Sequence, residues 1–188
     1  WGFFSSAISA GTNSLLSSLG LISKVYFPRL IAPISQLLSS LVDTGISLVI
    51  LGLMLLYYGI RPTWGIVLVP VYLAIMGAMG LGFGLWFSGV IVRFRDFGQI
   101  VGFIVRVLMY LSPVVYASSL IEKQIPGWIW LYRLNPITVA VEGFRWALLG
   151  TGSPPDAMLP VAILITLVTL VGGLYVFKRA ERNIVDIA

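Results

Sequence analysis

Two charged residues interrupt the apolar runs of this sequence and are the ones best placed to do chemistry there. Asp43 is the only charge in residues 30–57, and Arg106 is the only one in residues 97–116. At about 1.5 Å per helical residue they would lie roughly 20 Å and 14 Å from the cytoplasmic ends predicted below, so their side chains could meet. Ionisable groups at that depth are usually paired or functional. We expect an ion pair, with a polar pathway or a substrate contact as the alternative.

The residue types needed for catalysis are scarce. The chain has no histidine and no cysteine, which excludes imidazole bases, thiol nucleophiles and nearly every transition-metal site. One intramembrane carboxylate cannot act as both general acid and general base. The phosphate-binding motif G-x-x-x-x-G-K-[ST] does not occur, so usual P-loop binding of ATP is excluded. We therefore expect no catalytic residue and no metal, and energy for active transport would come from another chain.

A short stretch before the second apolar run mixes basic and large apolar side chains: Lys24, Val25, Tyr26, Phe27, Pro28 and Arg29. It could form a helix lying in the bilayer interface, with its bases on lipid headgroups. It could equally be a docking site for a cytoplasmic partner, because aromatic and basic residues often anchor protein interfaces. Composition alone does not separate the two.

Residues 112–151 form an apolar stretch that prolines break repeatedly. Asn135 suits an N-cap and Pro136 the first helical position. A helix over 136–149 would reach roughly 21 Å, too short to cross a bilayer and return. We predict a re-entrant or surface-lying helix on the outer side, in a region that is a candidate exit gate. The gate residues would be Pro126, Trp128, Trp130, Asn135, Pro136, Glu142 and Arg145, with Glu142 and Arg145 spaced to pair.

The elements that would position these residues are membrane-spanning helices of about 20 mainly apolar residues. Five segments fit, at 1–19, 30–57, 64–92, 97–116 and 158–177. The first is rich in serine, so it should pack inside a bundle. Gly80 and Gly84 form a GxxxG pair, for which packing within one subunit and a dimer face are the two interpretations.

The basic residues alternate between loops and predict the orientation. Seven of them, with Asp96, Glu181 and Asp186, fall on one side, which should be cytoplasmic; they are Lys24, Arg29, Arg93, Arg95, Lys178, Arg179 and Arg182. The N-terminus would then lie outside and the C-terminus inside. The sequence begins at Trp1 without an initiator methionine, and an odd helix count with an outer N-terminus predicts that one further span precedes it.

Composition independently indicates a membrane protein. Apolar residues make up 59% of the chain and charged residues 10%, against about 45–50% and about 25% in soluble domains. The net charge of +5 comes from bases scattered singly and in pairs, which fits a positive-inside bias and not a nucleic-acid surface. We predict a single all-α transmembrane domain over residues 1–188.

Several runs resemble one family, the permease subunits of ABC exporters for polysaccharides and polyol phosphates, as in O-antigen, capsule and teichoic acid export. They extend in order across essentially the whole chain: Trp1-Gly-Phe-Phe-Ser-Ser6, Leu21-Ile-Ser-Lys-Val-Tyr-Phe-Pro-Arg29, Val92-Arg-Phe-Arg-Asp-Phe97, Leu134-Asn-Pro-Ile-Thr138, Val141-Glu-Gly-Phe-Arg-Trp-Ala-Leu-Leu-Gly150 and Phe177-Lys-Arg-Ala-Glu-Arg182.

This resemblance implies a six-helix subunit of the bacterial cytoplasmic membrane that forms a homodimer, here without the family's N-terminal cytoplasmic helix and first span. ATP and Mg would bind a separate ATP-binding cassette subunit, leaving this chain without a cofactor. Residues 21–29 would be the coupling helix that docks that subunit, and residues 118–149 would hold the outer gating helices. The substrate would be a lipid-linked glycan. From another class, the alternative is a membrane-bound glycan-modifying transferase; a structural scaffold is disfavoured by the broken outer segment.

Overall fold

The computed structural model describes residues 1–19, 30–94, 96–116, 120–121, 129–152 and 154–185. A 3-10 turn, Trp64–Leu68, leads directly into the third α-helix. The α-helices bounded within these ranges are α1 Gly2–Leu19, α2 Ile31–Tyr57, α3 Val69–Arg93, α4 Phe97–Leu111, α5 Ile129–Arg133, α6 Pro136–Leu149 and α7 Met158–Val185.

Three of these helical segments are long and apolar enough to cross a membrane: Ile31–Tyr57, Trp64–Arg93 and Met158–Arg182. The predicted all-α membrane class is thereby confirmed. The helix α4 is apolar but has only 15 residues, about 22 Å at 1.5 Å per residue. The helix α1 has 18 residues, many with hydroxyl groups. The number of spans, predicted as five, stays a prediction.

The helix α3 lies at the centre of the bundle and packs against α1, α6 and α7. Glycines on two of its faces permit the close approach. A Cβ at Gly84 would collide with the backbone of α1 at Ile8 and Gly11, and one at Gly82 would lie 3.0 Å from the Leu170 Cα of α7. Gly80 likewise packs against Phe4 and Ala7 of α1. The GxxxG pair therefore serves packing within the chain, the first of its two interpretations.

The helix α2 lies at the edge of the bundle, beside α1. Of its 27 residues only Pro33, Ser40 and Leu55 are buried. Most of its other large apolar side chains, such as Leu53 and Leu56, are exposed. Water would penalise that much apolar surface, whereas a lipid bilayer or a second protein surface would cover it. The exposure pattern thus agrees with the membrane class.

The break between the last two spans differs partly from prediction. The helix α4 ends at Leu111, five residues before the predicted end at Tyr116, and Ser112 is extended (φ −104°, ψ 154°). The ring of Pro113 disfavours helical backbone at the preceding residue, which explains the stop. The helix α6 begins where predicted, with Asn135 Oδ1 accepting a hydrogen bond from the Ile137 backbone N–H at 3.0 Å.

Candidate functional site

One face of α2 carries polar side chains through an otherwise apolar helix. The hydroxyl of Ser40 donates to the Leu37 carbonyl at 2.8 Å, that of Thr44 to the Ser40 carbonyl at 2.8 Å, and that of Ser47 to the Asp43 carbonyl at 2.9 Å. Because the helix backbone takes these three protons, the oxygens that remain, together with the Asp43 carboxylate, act as acceptors. This face suits a ligand that donates hydrogen bonds.

These four side chains line a cavity of about 410 Å³, here called the α2 cavity. Its volume falls in the range of small-molecule sites, about 300–1,000 Å³. Its lining also includes aromatic residues from three other helices or their ends: Trp1, Phe3, Tyr72 and Phe144. The α2 cavity therefore combines hydrogen-bond acceptors with aromatic surface.

A second cavity, of about 500 Å³, lies between α1 and α4 and is here called the α1–α4 cavity. Arg106 of α4 lines it, together with Gly98 and Gly102 of the same helix. The helix α1 contributes its polar side chains there: Ser5, Ser9, Thr12 and Asn13. The serine-rich character of α1 thus has a structural counterpart, since one polar face of this helix borders an open cavity beside α4.

The structure does not bring Asp43 and Arg106 together. Asp43 lines the α2 cavity and Arg106 lines the α1–α4 cavity, and no ion pair joins them in the described part of the chain. A similar depth along the helices was not sufficient for the two side chains to meet, because they border cavities on different faces of α1. Among the described residues the predicted ion pair is not formed, and the alternative, a polar pathway or a substrate contact, stays a prediction.

Arg145 ties α6 to the broken end of α4. Its Nη2 donates to the Pro113 carbonyl at 3.0 Å and its Nη1 to the Tyr116 carbonyl at 3.4 Å. Both carbonyls follow the end of α4, where backbone acceptors lose their helical partners. One guanidinium therefore holds the turn that follows α4 against α6.

Two further hydrogen bonds join the same regions. The Asn135 side-chain amide donates to Ser112 Oγ at 3.5 Å, and the Tyr132 hydroxyl donates to the Tyr116 hydroxyl at 3.4 Å. Burial and then the bond to Tyr116 raise the pKa of Tyr132 above its usual value, so this phenol stays neutral. Trp130, on the same short helix α5, is exposed. The outer segment is thus connected to α4 by neutral groups and by Arg145.

Glu142 is buried in α6, with 5% of its surface exposed. With Tyr72 it borders a cavity of about 20 Å³, enough for one water molecule. Arg133 and Asp156 border the same cavity, with Arg133 Nη1 3.7 Å from Asp156 Oδ2. Within the described residues Glu142 and Arg145 are not in an ion pair, because Arg145 is directed toward the end of α4.

Several predicted site residues lie outside the described residues. They are Lys24, Val25, Tyr26, Phe27, Pro28 and Arg29 of the basic-aromatic stretch, and Pro126 and Trp128 of the outer segment. Their predicted roles as docking and gate residues stay predictions.

Sequence reasoning missed the composition of the α2 cavity. A signal was present on α2 itself, because Ser40, Asp43, Thr44 and Ser47 recur at helical spacing and so share one face. The aromatic lining carried no such signal, since Tyr72 and Phe144 come from distant segments. The partners of Arg145 were also missed, because Pro113 is 32 residues away in sequence.

Comparison with known proteins accords with this architecture. Residues 3–149 match the family model described as ABC-2 type transporter. The chain belongs to this family. It is 27% identical over 184 residues to the O-antigen export system permease protein RfbA of Myxococcus xanthus, covering 96% of this chain and 70% of that protein. It is 23% identical over 191 residues to the protein of the same name from Klebsiella pneumoniae, covering 100% and 71%.

Family membership confirms the permease resemblance and the multi-pass location in the bacterial cytoplasmic membrane. The ABC-2 relatives are transporter subunits. Membership also implies an ATP-binding cassette partner.

Proposed function

We propose that this ABC-2 permease is the transmembrane subunit of an exporter that moves a lipid-linked polysaccharide outward across the cytoplasmic membrane. O-antigen, capsular polysaccharide and teichoic acid are the substrate classes considered. ATP would be hydrolysed by a separate subunit, and two permease chains would form a homodimer around the path. The two similar proteins named as O-antigen export permeases support the first of these classes for this chain.

The α2 cavity is the observation that carries the proposal. A sugar ring is amphipathic, since its hydroxyl groups donate hydrogen bonds from the edge and its C–H groups form an apolar face. The acceptor face with Asp43 would take the hydroxyl groups. The rings of Phe3 and Phe144 in the same lining would pack against the apolar faces. A purely lipid-like ligand would leave the Asp43 carboxylate without donors.

Replacement of Asp43 tests this role. Asp43→Asn keeps the shape of the side chain but removes its charge, and we expect it to reduce export because a charged acceptor binds hydroxyl donors more strongly. Cells with the permease and its ATPase would be assayed for surface glycan, with membrane levels of the permease measured in parallel. Asp96→Asn, an exposed carboxylate outside the cavity, is the matched control. Equal export by both variants at equal membrane levels would count against the α2 cavity as the path.

The basic-aromatic stretch, 24–29, is proposed as the docking site for the ATP-binding subunit. Tyr26→Asp with Phe27→Asp would place charge in an apolar contact, so we expect loss of ATPase copurification with normal membrane insertion. The pair Tyr57→Asp with Tyr58→Asp, exposed at the other end of α2, controls for the added charge. Copurification that is unchanged by the first pair would refute the docking assignment.

The outer segment is proposed as the exit gate. Its described residues Trp130, Asn135, Pro136, Glu142 and Arg145 lie in or beside α5 and α6, and Pro126 and Trp128 would complete it. The bonds from Arg145 to the two carbonyls after α4 would hold the gate closed, and their release would allow α6 to move away from α4. This mechanism makes Arg145 a positioning residue, with no contact to substrate.

A further inference from the structure

The α1–α4 cavity is not explained by sugar recognition. It presents a cation where the α2 cavity presents a carboxylate. We propose that it binds a phosphate-bearing anion, with Arg106 as the charged ligand-binding residue and the polar side chains of α1 as additional donors. The assignment of that phosphate to the exported substrate rests on the proposed function.

The charges of the residues that line the α1–α4 cavity favour an anion. None of the residues that line it is a carboxylate, although they include Arg106. A guanidinium keeps its positive charge inside proteins, because it is not deprotonated there. An arginine at membrane depth is costly unless a partner compensates its charge. The described lining offers no acid, and Arg106 is exposed, so an anion that enters the cavity can reach the guanidinium and compensate its charge.

The polar side chains of α1 have hydrogen-bond donors available for the same anion. Within the described part of the chain, no hydrogen bond engages the hydroxyl of Ser5 or of Ser9, both of which line the cavity. Asn13 uses one amide hydrogen on the Ser9 carbonyl at 3.0 Å, which leaves a second hydrogen free to donate. Together with the guanidinium, these groups can surround several oxygens at once, as a phosphate or diphosphate requires.

The glycines of α4 leave room for the ligand. A Cβ placed at Gly102 would meet no atom within 4 Å. Gly98, one turn earlier, also lines the cavity. The cavity volume of about 500 Å³ is ample for a diphosphate, and Gly102 is a position where a larger side chain would fill the space without removing a charge.

Trp1 borders both cavities, so a single ligand could reach from one to the other. A glycan joined to its lipid through phosphate has the required combination, with sugar for the α2 cavity and phosphate for the α1–α4 cavity. The phosphate of a membrane phospholipid headgroup has the same anionic chemistry. The experiment must therefore separate these two sources.

The test uses the permease with its ATPase partner in phosphatidylcholine nanodiscs, titrated calorimetrically with inorganic diphosphate. Arg106→Gln should weaken binding by about tenfold or more, since a hydrogen bond to a charged group is lost. Gly102→Leu should weaken it similarly by filling the cavity. Arg61→Gln, an exposed arginine outside the cavity, should leave binding unchanged. Competition by a polyprenyl diphosphate but not by phosphatidylglycerol would identify the substrate linkage as the source, and the reverse result would identify phospholipid.

Absence of diphosphate binding by the unsubstituted protein, or equal binding by the Arg106, Gly102 and Arg61 variants, would overturn the inference. Glycan export measured in parallel separates this failure from failure of the proposed function. Export that persists while binding is independent of Arg106 would refute the anion site alone. Arg106-dependent binding without any export would refute the exporter and leave the anion site standing.

Discussion

Replacing Arg145 should loosen the outer segment in a way that can be calculated from its two hydrogen bonds. Arg145→Met keeps the long stem and removes both donors. The 3.0 Å bond to the Pro113 carbonyl is a bond to a charged group, worth about 1.5–3 kcal/mol, and the 3.4 Å bond to Tyr116 is long enough to add little. A loss of about 2 kcal/mol corresponds to roughly a thirtyfold increase in the released state.

The absence of cysteine from the chain makes a single-cysteine assay possible. Val114→Cys places a thiol within the turn that Arg145 holds, where Val114 also lines the α2 cavity. Labelling by a membrane-impermeant maleimide should be roughly thirtyfold faster with Arg145→Met if the thiol reacts from the released state. Arg145→Lys should be intermediate, because an ammonium is a point donor that does not match the paired geometry of the guanidinium.

Arg61→Met removes an exposed arginine elsewhere and should leave the labelling rate unchanged. If Val114→Cys with Arg145→Met labels at the same rate as Val114→Cys alone, with both variants folded and inserted, the hydrogen bonds do not hold the turn. The closed-gate interpretation of Arg145 would then be wrong.

Three other substitutions, with one control, test helix packing, the cap of α6 and the Tyr132 hydroxyl. Gly84→Ala should lower the free energy of unfolding of the bundle by about 1–3 kcal/mol, because its Cβ would strike the Ile8 carbonyl. Gly45→Ala is the control, because a Cβ there meets open space. Thermal unfolding in detergent compares the two variants. Asn135→Ala removes the N-cap of α6 and should lower the free energy of unfolding by about 1 kcal/mol in the same assay. Burial raises the pKa of Tyr132 in the folded protein. The neutral phenol therefore contributes its full stabilisation of the fold below the pKa of an unfolded tyrosine, about 10, and this contribution falls at higher pH. Tyr132→Phe should therefore lose less stability above about pH 10, and an equal loss would contradict this.

Local signals in the sequence predicted local structure well. The pair Asn135-Pro136 predicted the start of α6 because an N-cap and a first-turn proline act within one helical turn. The signal of Ser112-Pro113 was equally local, yet the predicted span continued to Tyr116 on apolar character alone. The observed end of α4 at Leu111 shows that the proline decided the boundary.

Long-range geometry could not be predicted in the same way. Depth along a helix axis can be counted from the sequence, but the direction in which a side chain projects around that axis depends on how the helices pack. Asp43 and Arg106 therefore had comparable predicted depths and still border different cavities. Glu142 and Arg145 had the spacing of a helical pair, but a backbone acceptor distant in sequence took the guanidinium.

The central claim, that this ABC-2 permease carries a lipid-linked glycan outward with energy from a separate ATPase, is tested most directly by reconstitution. The permease and its ATP-binding partner would be placed in proteoliposomes containing a fluorescent lipid-linked glycan, and transfer across the bilayer would be measured with and without ATP. The account predicts transfer that requires both chains and ATP hydrolysis. Transfer by the permease without its partner, or chemical modification of the glycan in place of its movement, would contradict it.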